Sequence, residues 1–400
     1  MHKVELLAPA GDLDKLRVAI TYGADAVFIG GKQFSLRAKA SNFEIKDIAE
    51  GVTFAHAHNA KVFITVNIYP HNEDLDGLDE YLKDLDSVGV DAILVSSPYI
   101  VQRCIDLNLK FEVHLSTQQS AANIKACEFW ESIGVKRIVL AREMDVDQIA
   151  ELRKNSRLPI EIFIHGGSCS SYSGRCTLSN NMSNRDANRG GCSHSCRWGY
   201  DVYHEGQLLS NPETPFKFGS KDINAVMYIK ELLEAGIDSF KIEGRMKSVH
   251  YIASVVSTYR ELIDDIYENK GAAARGDFEY YNNKLKKAEN REASEGFLKG
   301  DVDFDDILYH AESEAPTQEF LGMFLEYDQE KQMALIQVRN HFNDGIDASL
   351  VRPFSEDVEF KIEGLFDKDL NPVMVANKAM QELYIKVPAP VEKYAILRKR

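Results

Sequence analysis

Along the first 270 residues, short apolar runs rich in β-branched side chains alternate with stretches of helical period. The runs begin near Val4, Ala26, Val62, Ala92, Phe111, Arg137, Ile160 and Ser239, and residues 12–22, 45–58, 75–88 and 121–133 are examples of the amphipathic segments between them. Several of these segments end on a glycine that leads straight into the next run, as in Tyr22-Gly23-Ala24-Asp25, Val88-Gly89-Val90-Asp91, Ile133-Gly134-Val135-Lys136 and Ala235-Gly236-Ile237-Asp238. Eight parallel strands with short returns predict a closed (β/α)8, TIM-like barrel. A doubly wound sheet is the weaker alternative, because no G-x-G-x-x-G follows the first strand.

Beyond the barrel the pattern changes twice. Residues 277–294 read as a charged helix, and from about Gln318 short alternating strands follow at 320–327, 333–338 and 358–365, with Asn343-Asp344-Gly345 as a turn. The predicted organisation is a barrel domain over 1–270 with a Cys-rich insertion at 166–215 after strand seven, a helical linker over 271–314, and a small C-terminal all-β barrel over 315–400. At 400 residues, 44% hydrophobic, the chain is long enough for two or three domains. No apolar run approaches the roughly 18 residues a membrane span needs, so no membrane association is expected. The opening MHKVELLAPA reads as a strand and not as a signal peptide, which points to the cytoplasm.

Four of the six cysteines, Cys169, Cys176, Cys192 and Cys196, fall within 28 residues that are rich in Gly, Ser, Asn and Arg. Such a segment cannot pack a core of its own, so a thiolate-bound inorganic centre is the natural candidate to hold it. A reducing compartment disfavours disulfides. The intervening six, fifteen and three residues differ from the paired C-x2-C of zinc ribbons, which leans toward iron-sulfur and leaves zinc open. Cys104 and Cys127 occupy apolar helix positions and read as buried structural residues.

A net charge of -15 disfavours a passive nucleic-acid binder, whose affinity comes from phosphate neutralisation. Residues 165–200 are the exception, with Arg175, Arg185, Arg189 and Arg197 against Asp186 alone. This local patch suits a nucleic-acid substrate, and suits equally arginines that solvate a loop or hydrogen-bond to cluster sulfurs.

In a barrel, chemistry gathers at the C-terminal strand ends. Those ends carry Asn67, Ser96, His114 with Ser116, Thr117 and Gln118, Arg142 with Glu143, His165, and finally Lys241, Glu243, Arg245, Lys247 and Ser248. His165 and Glu243 are the candidate catalytic residues, with a packed structural role as the other reading of His165. His114, Gln118, Arg175, Lys241, Arg245 and Lys247 are the candidate substrate contacts. Arg245, Lys247 and Ser248 open a helix and suit an anion; alternatively Ser248 is an ordinary N-cap and the cations face solvent.

The run Glu161-Ile162-Phe163-Ile164-His165-Gly166, then Cys169, Ser171-Tyr172-Ser173-Gly174-Arg175-Cys176, Asn184-Arg185-Asp186, Gly190, Cys192 and Cys196-Arg197-Trp198, closely resembles the signature of the collagenase-like peptidases of unassigned mechanism. Glu5-Leu6-Leu7-Ala8-Pro9-Ala10-Gly11 and Ser239-Phe240-Lys241-Ile242-Glu243-Gly244-Arg245-Met246-Lys247-Ser248 resemble the same family, so the likeness covers nearly the whole chain. Within the family the chain is most similar to the bacterial branch that installs 5-hydroxyuridine at the tRNA wobble position. That resemblance implies a 4Fe-4S cluster on the four clustered cysteines. It also implies tRNA as substrate, the small anionic metabolite prephenate as co-substrate or ligand of Arg245 and Lys247, and a paralogous subunit or electron donor as partner. One departure is visible: Gly167-Ser168 stands where the family has a small apolar residue and then Met or Leu.

Peptidase chemistry is poorly supported by the residues themselves, since H-E-x-x-H and G-x-S-x-G are both absent and cluster ligation leaves no free thiol in the segment. Hydroxylation of ribosomal RNA cytidine and a non-catalytic RNA-binding scaffold are the other competing readings.

Overall fold

In the computed structural model, which describes residues 3–36, 42–211, 213, 215–269, 278–288, 291–308 and 319–400, all eight anticipated runs form strands of one closed parallel barrel. β1 (Glu5–Pro9), β2 (Ala26–Gly30), β3 (Lys61–Val66), β4 (Ala92–Val95), β5 (Glu112–Leu115), β6 (Arg137–Val139) and β7 (Ile160–Gly166) pair in chain order. β8 (Asp222–Asn224) comes next, and then β9 (Ser239–Ile242), which pairs in parallel with both β7 and β1 and so closes the ring. All seven residues of β7 are buried, as befits a parallel strand covered on both faces.

Helices α1 (Leu13–Thr21), α2 (Ile45–Ala57), α3 (Leu78–Ser87), α4 (Pro98–Asp106), α5 (Ile124–Ser132) and α6 (Val146–Asn155) follow the first six strands. Asp12, Asn123 and Asp145 cap α1, α5 and α6 through their side chains. The insertion after β7 contains α7 (Leu178–Ser183); α8 (Ile229–Glu234) precedes β9, and the 20-residue α9 (Val249–Glu268) follows it.

Two expectations need correction. The sheet has ten strands, because β8 pairs antiparallel with the end of β7 and β10 (Ala293–Ser294) adds in parallel to β8. The stretch read as one helix over 277–294 is therefore a helix, α10 (Phe278–Lys286), and then a strand, which is tied to β8 by Asp222 N–H to Glu292 O and by the Lys221–Glu292 ion pair. Asp277 itself, and the boundaries drawn at 270/271 and 314/315, lie outside the described residues.

The C-terminal strands run from Phe320–Asp328 to Ile396–Lys399 and form an eight-stranded antiparallel half-barrel over its own apolar core. The run expected at 358–365 breaks at Gly364, whose φ of 93° is left-handed. Val358–Lys361 and Leu365–Phe366 consequently pair with different neighbours. Met323, Val351, Tyr394 and Ile396 join the barrel's core cluster, so the module packs on the helix layer.

Candidate active site at the barrel mouth

The Cys-rich insertion is pinned to the C-terminal end of the barrel by the loops that follow three strands and by the first residue of β8. After β3, Tyr69 N–H donates to Asn188 O at 3.0 Å, and Asp74 holds the Arg189 guanidinium at 2.8 and 2.9 Å. After β5, Gly174 packs directly on the Gln118 backbone and Ser120 Oγ donates to Ser173 O. After β6, the Glu143 carboxylate accepts the Ser173 N–H at 2.8 Å and its hydroxyl at 3.1 Å. Near β8, Arg197 lies 3.4 Å from Asp222. The mouth is thus roofed by the segment that carries the thiols.

Inside the insertion, four serines connect the cysteine loops. Ser193 N–H donates to Ser179 Oγ at 3.1 Å, Ser183 Oγ to Ser193 Oγ at 2.9 Å, and the Ser193 and Ser195 hydroxyls are 2.7 Å apart. Ser193 adjoins Cys192 and Ser195 adjoins Cys196, while Ser179 lies three residues past Cys176, so one hydroxyl web links the backbone segments that carry three of the thiols. Burial raises the Cys196 thiol above its ordinary value, and the neighbouring Cys169 and Cys192 add to that rise. All four are free thiols. No group of three or more His, Cys, Asp or Glu side chains among the described residues is already drawn to metal-binding distance. The donor set nevertheless fits a thiophilic centre: soft ligands, unpaired, three in electrostatic contact and the fourth tethered beside them. Cys104 and Cys127 are buried on α4 and α5, where burial pushes their thiols up to about 12 and about 11.

The predicted contacts separate into three places. Arg245 is at the mouth, 5% exposed, its Nη1 donating to Ser35 Oγ and Thr65 Oγ1 at 3.1 Å each. Gly30, at the end of β2, makes room for it, since a Cβ there would collide with that guanidinium. Gln118 and Arg175 meet at the rim through Tyr69, whose hydroxyl donates to Gln118 O at 2.8 Å and accepts from Arg175 Nη1 at 3.0 Å. Glu243 is half-buried beside Gly167; its N–H donates to His165 O and its carbonyl accepts from Tyr251. Lys247 does not join Arg245: it turns to Asp222 at 3.8 Å and lies over the Tyr251 ring. Ser248 caps α9 through Tyr251 N–H.

Lys241 and His114 lie below the mouth, not at it. Arg137 Nη1 contacts Glu5 and, at 3.3 Å, Glu161; Lys241 Nζ sits 2.8 Å from Glu161 Oε1. Glu5, Arg137 and Glu161 start or nearly start their strands and Lys241 reaches to them through its ammonium, so the group forms the barrel's lower interior, where side chains serve stability. Burial alone would raise the Glu161 carboxyl, but Lys241 and Arg137 outweigh it and hold it below its ordinary value. His114 is fully buried, packed edge-on against Phe63 and 3.0 Å from Glu112, and burial holds its pKa down.

His165 is displaced sideways. The β7–β9 register shifts between Lys241 and Ile242, a bulge that turns the imidazole out of the barrel toward α9. Its Nδ1 lies 3.2 Å from Tyr259 Oη, and burial followed by the Lys247 charge lowers its pKa to about 3. The ring stays neutral in a packed, T-shaped contact with Tyr259.

Sequence reasoning passed over Ser35 and Thr65 as partners of Arg245, and Glu5, Arg137 and Glu161 as the interior charge network. Only the buried acid within Glu161-Ile162-Phe163-Ile164 signalled the latter, as a charge in an otherwise apolar strand.

The sequence profile described as Peptidase family U32 matches residues 11–307, and that of the Peptidase family U32 C-terminal domain matches residues 316–398. The tRNA hydroxylation protein P1 of Bacillus subtilis (strain 168) is 42% identical over 405 residues, covering 99% of this chain and 95% of that protein. The 23S rRNA 5-hydroxycytidine C2501 synthase of Escherichia coli (strain K12) is 40% identical over 275 residues, covering 68% of this chain and 41% of the synthase. A collagenase of Porphyromonas gingivalis is 31% identical over 277 residues, covering 66% of each.

Proposed function

Because this chain belongs to peptidase family U32, we propose that it hydroxylates RNA, and that its substrate is the wobble uridine of tRNA, converted to 5-hydroxyuridine. The observation that carries this reading is the seating of a four-thiol insertion on the open end of the barrel, in a chain related end to end to a tRNA hydroxylation protein. Cys169, Cys176, Cys192 and Cys196 would hold a 4Fe-4S cluster, with zinc as the alternative. Such a cluster, when bound, supplies electron-transfer or Lewis-acid chemistry.

The remaining work falls to the chain's own side chains. A base must leave its stack to reach a recessed site, and a wobble nucleotide is already single-stranded, so its extrusion is least costly. The net change at C5 is loss of hydrogen and gain of hydroxyl, a two-electron oxidation driven by an external oxidant. Arg245, buried and oriented by Ser35 and Thr65, presents a fixed guanidinium for a carboxylate of prephenate. Arg175 on the rim supplies a cation for the RNA backbone.

The test is mass spectrometry of tRNA and ribosomal RNA nucleosides from a strain lacking the gene, complemented with wild type, Cys192→Ser or Arg245→Ala. Restoration of 5-hydroxyuridine by wild type alone supports the reading. Modification that persists with Cys192→Ser would assign the protein a scaffold role, and loss of 5-hydroxycytidine instead would transfer the substrate to ribosomal RNA. Anaerobic absorption with iron and sulfide analysis separates iron-sulfur from zinc. Hydrolysis of denatured collagen by wild type and Cys192→Ser alike would favour the peptidase reading.

A further inference from the structure

Most buried guanidiniums in this protein are matched to acids: Arg137 to Glu5 and Glu161, Arg260 to Asp25 and Asp264, Arg398 to Asp357. Arg142, in the loop that follows β6 at the mouth, is different. Half-buried, it makes no hydrogen bond and has no carboxylate within ion-pair distance among the described residues, and its Nε is buried without a partner. Its one strong contact is with a ring: the guanidinium carbon lies 3.8 Å from the centroid of Phe163 on β7, which is van der Waals stacking distance. The adjacent acid faces elsewhere, since Glu143 is bound to Ser173 of the insertion.

Stacking satisfies the face of a guanidinium and leaves the N–H donors on its edge, all lying in one plane. Phe163 points into the barrel interior, being two residues past Glu161 on the same strand, and Lys241 Nζ lies 5.4 Å from the same ring. Lys241 feels Arg142 as a repelling charge, with its own ammonium already bound to Glu161. An unmatched guanidinium held flat and partly desolvated at a strand end is unfavourable in the free protein unless a ligand completes it. The group whose shape matches a planar fork of N–H donors is a carboxylate.

We propose that Arg142, stacked on Phe163, is a carboxylate-binding residue of the barrel mouth, which receives a small organic acid beside the RNA substrate. The proposal deepens the reading above and rests on it only for the ligand's identity. It adds a ring-stacked guanidinium at the end of β6 to the cation that the reading above assigns to the organic acid.

The test is calorimetric titration of prephenate, with malonate as a second probe, into anaerobically prepared full-length protein. Wild type is expected to bind at least one of them, Arg142→Gln and Arg142→Lys to lose tenfold or more in affinity, and Phe163→Leu to lose several-fold. Lys keeps the charge but lacks the bidentate fork, so its failure to rescue separates carboxylate recognition from a general electrostatic effect. Because Arg142 makes no hydrogen bond or ion pair with the described residues, Arg142→Gln loses only the stack on Phe163 and should stay folded with a melting temperature within a few degrees of wild type, and the probe should raise the melting temperature of wild type only. Equal affinities of wild type and Arg142→Gln, or no binding of either probe by wild type, would overturn the proposal. Arg142-dependent binding together with unmodified nucleosides would leave it standing while removing the RNA reading.

Discussion

At the scale of single residues, burial decides what the titratable groups can do. His165 and His250 are both held neutral, their pKa values lowered to about 3 chiefly by burial. In an unfolded chain each would titrate near 6.5, so between about pH 6.5 and 3 the unfolded state binds more protons and stability falls as pH falls. Each group contributes a slope approaching about 1.4 kcal/mol per pH unit. Urea denaturation at pH 7, 6 and 5 should show this loss, and His250→Phe, which keeps a ring against Phe320, should lower the slope by the share of one histidine, about 1.4 kcal/mol per pH unit at most, leaving the shares of His165 and His114. Glu161 acts in the same direction in a lower pH window: its lowered carboxyl contributes stability above its ordinary value of 4.5 that disappears as pH drops below it. Glu161→Gln leaves Lys241 and Arg137 buried with too little negative charge, and should cost about 3–5 kcal/mol at pH 7, measured by denaturation.

Among the elements, the insertion is the informative one. With little apolar content of its own, it is ordered by Glu143, by the serine web and by close backbone approach to the barrel loops. Gly174 has a φ of 72° and abuts the Gln118 backbone, so alanine there meets both a left-handed penalty of about 1–2 kcal/mol and a collision. Gly174→Ala should therefore speed limited proteolysis within the insertion several-fold while leaving the barrel's melting temperature nearly unchanged. A matching drop in global stability would show that the insertion is part of the barrel's folding unit. The cysteine segment was visible in the sequence because thiols, glycines and serines cluster in it. Its attachment was not, because each anchor joins residues 25 to 119 positions apart in the chain.

On the scale of the whole molecule, the C-terminal module is fixed to the helix layer by few but buried contacts. Tyr22, closing α1, is fully buried and its hydroxyl donates to Val351 O at 3.0 Å, with Tyr394 O at 3.3 Å. The His250–Phe320 stack and the Arg339–Asp14 ion pair join the same faces. Tyr22→Phe leaves buried carbonyls unsatisfied and should destabilise by about 1–3 kcal/mol. The loss should appear as an earlier separate transition of the module in calorimetry, and a single unaltered transition would place that interface outside the stability-determining contacts.

Sequence alone determined the eight barrel strands, their helices, the change to short strands near residue 320 and the position of the thiols, because each of these is written in the spacing of neighbouring residues. The destination of each polar side chain was settled only by tertiary structure. Ring closure brings Glu5 to Arg137 across 132 positions, a bulge turns His165 from the mouth to α9, and Lys241 descends to Glu161 while Arg245, four residues later, rises to Ser35 and Thr65. Local periodicity says which positions are buried; which buried charge meets which partner follows from how the ends of the sheet come together.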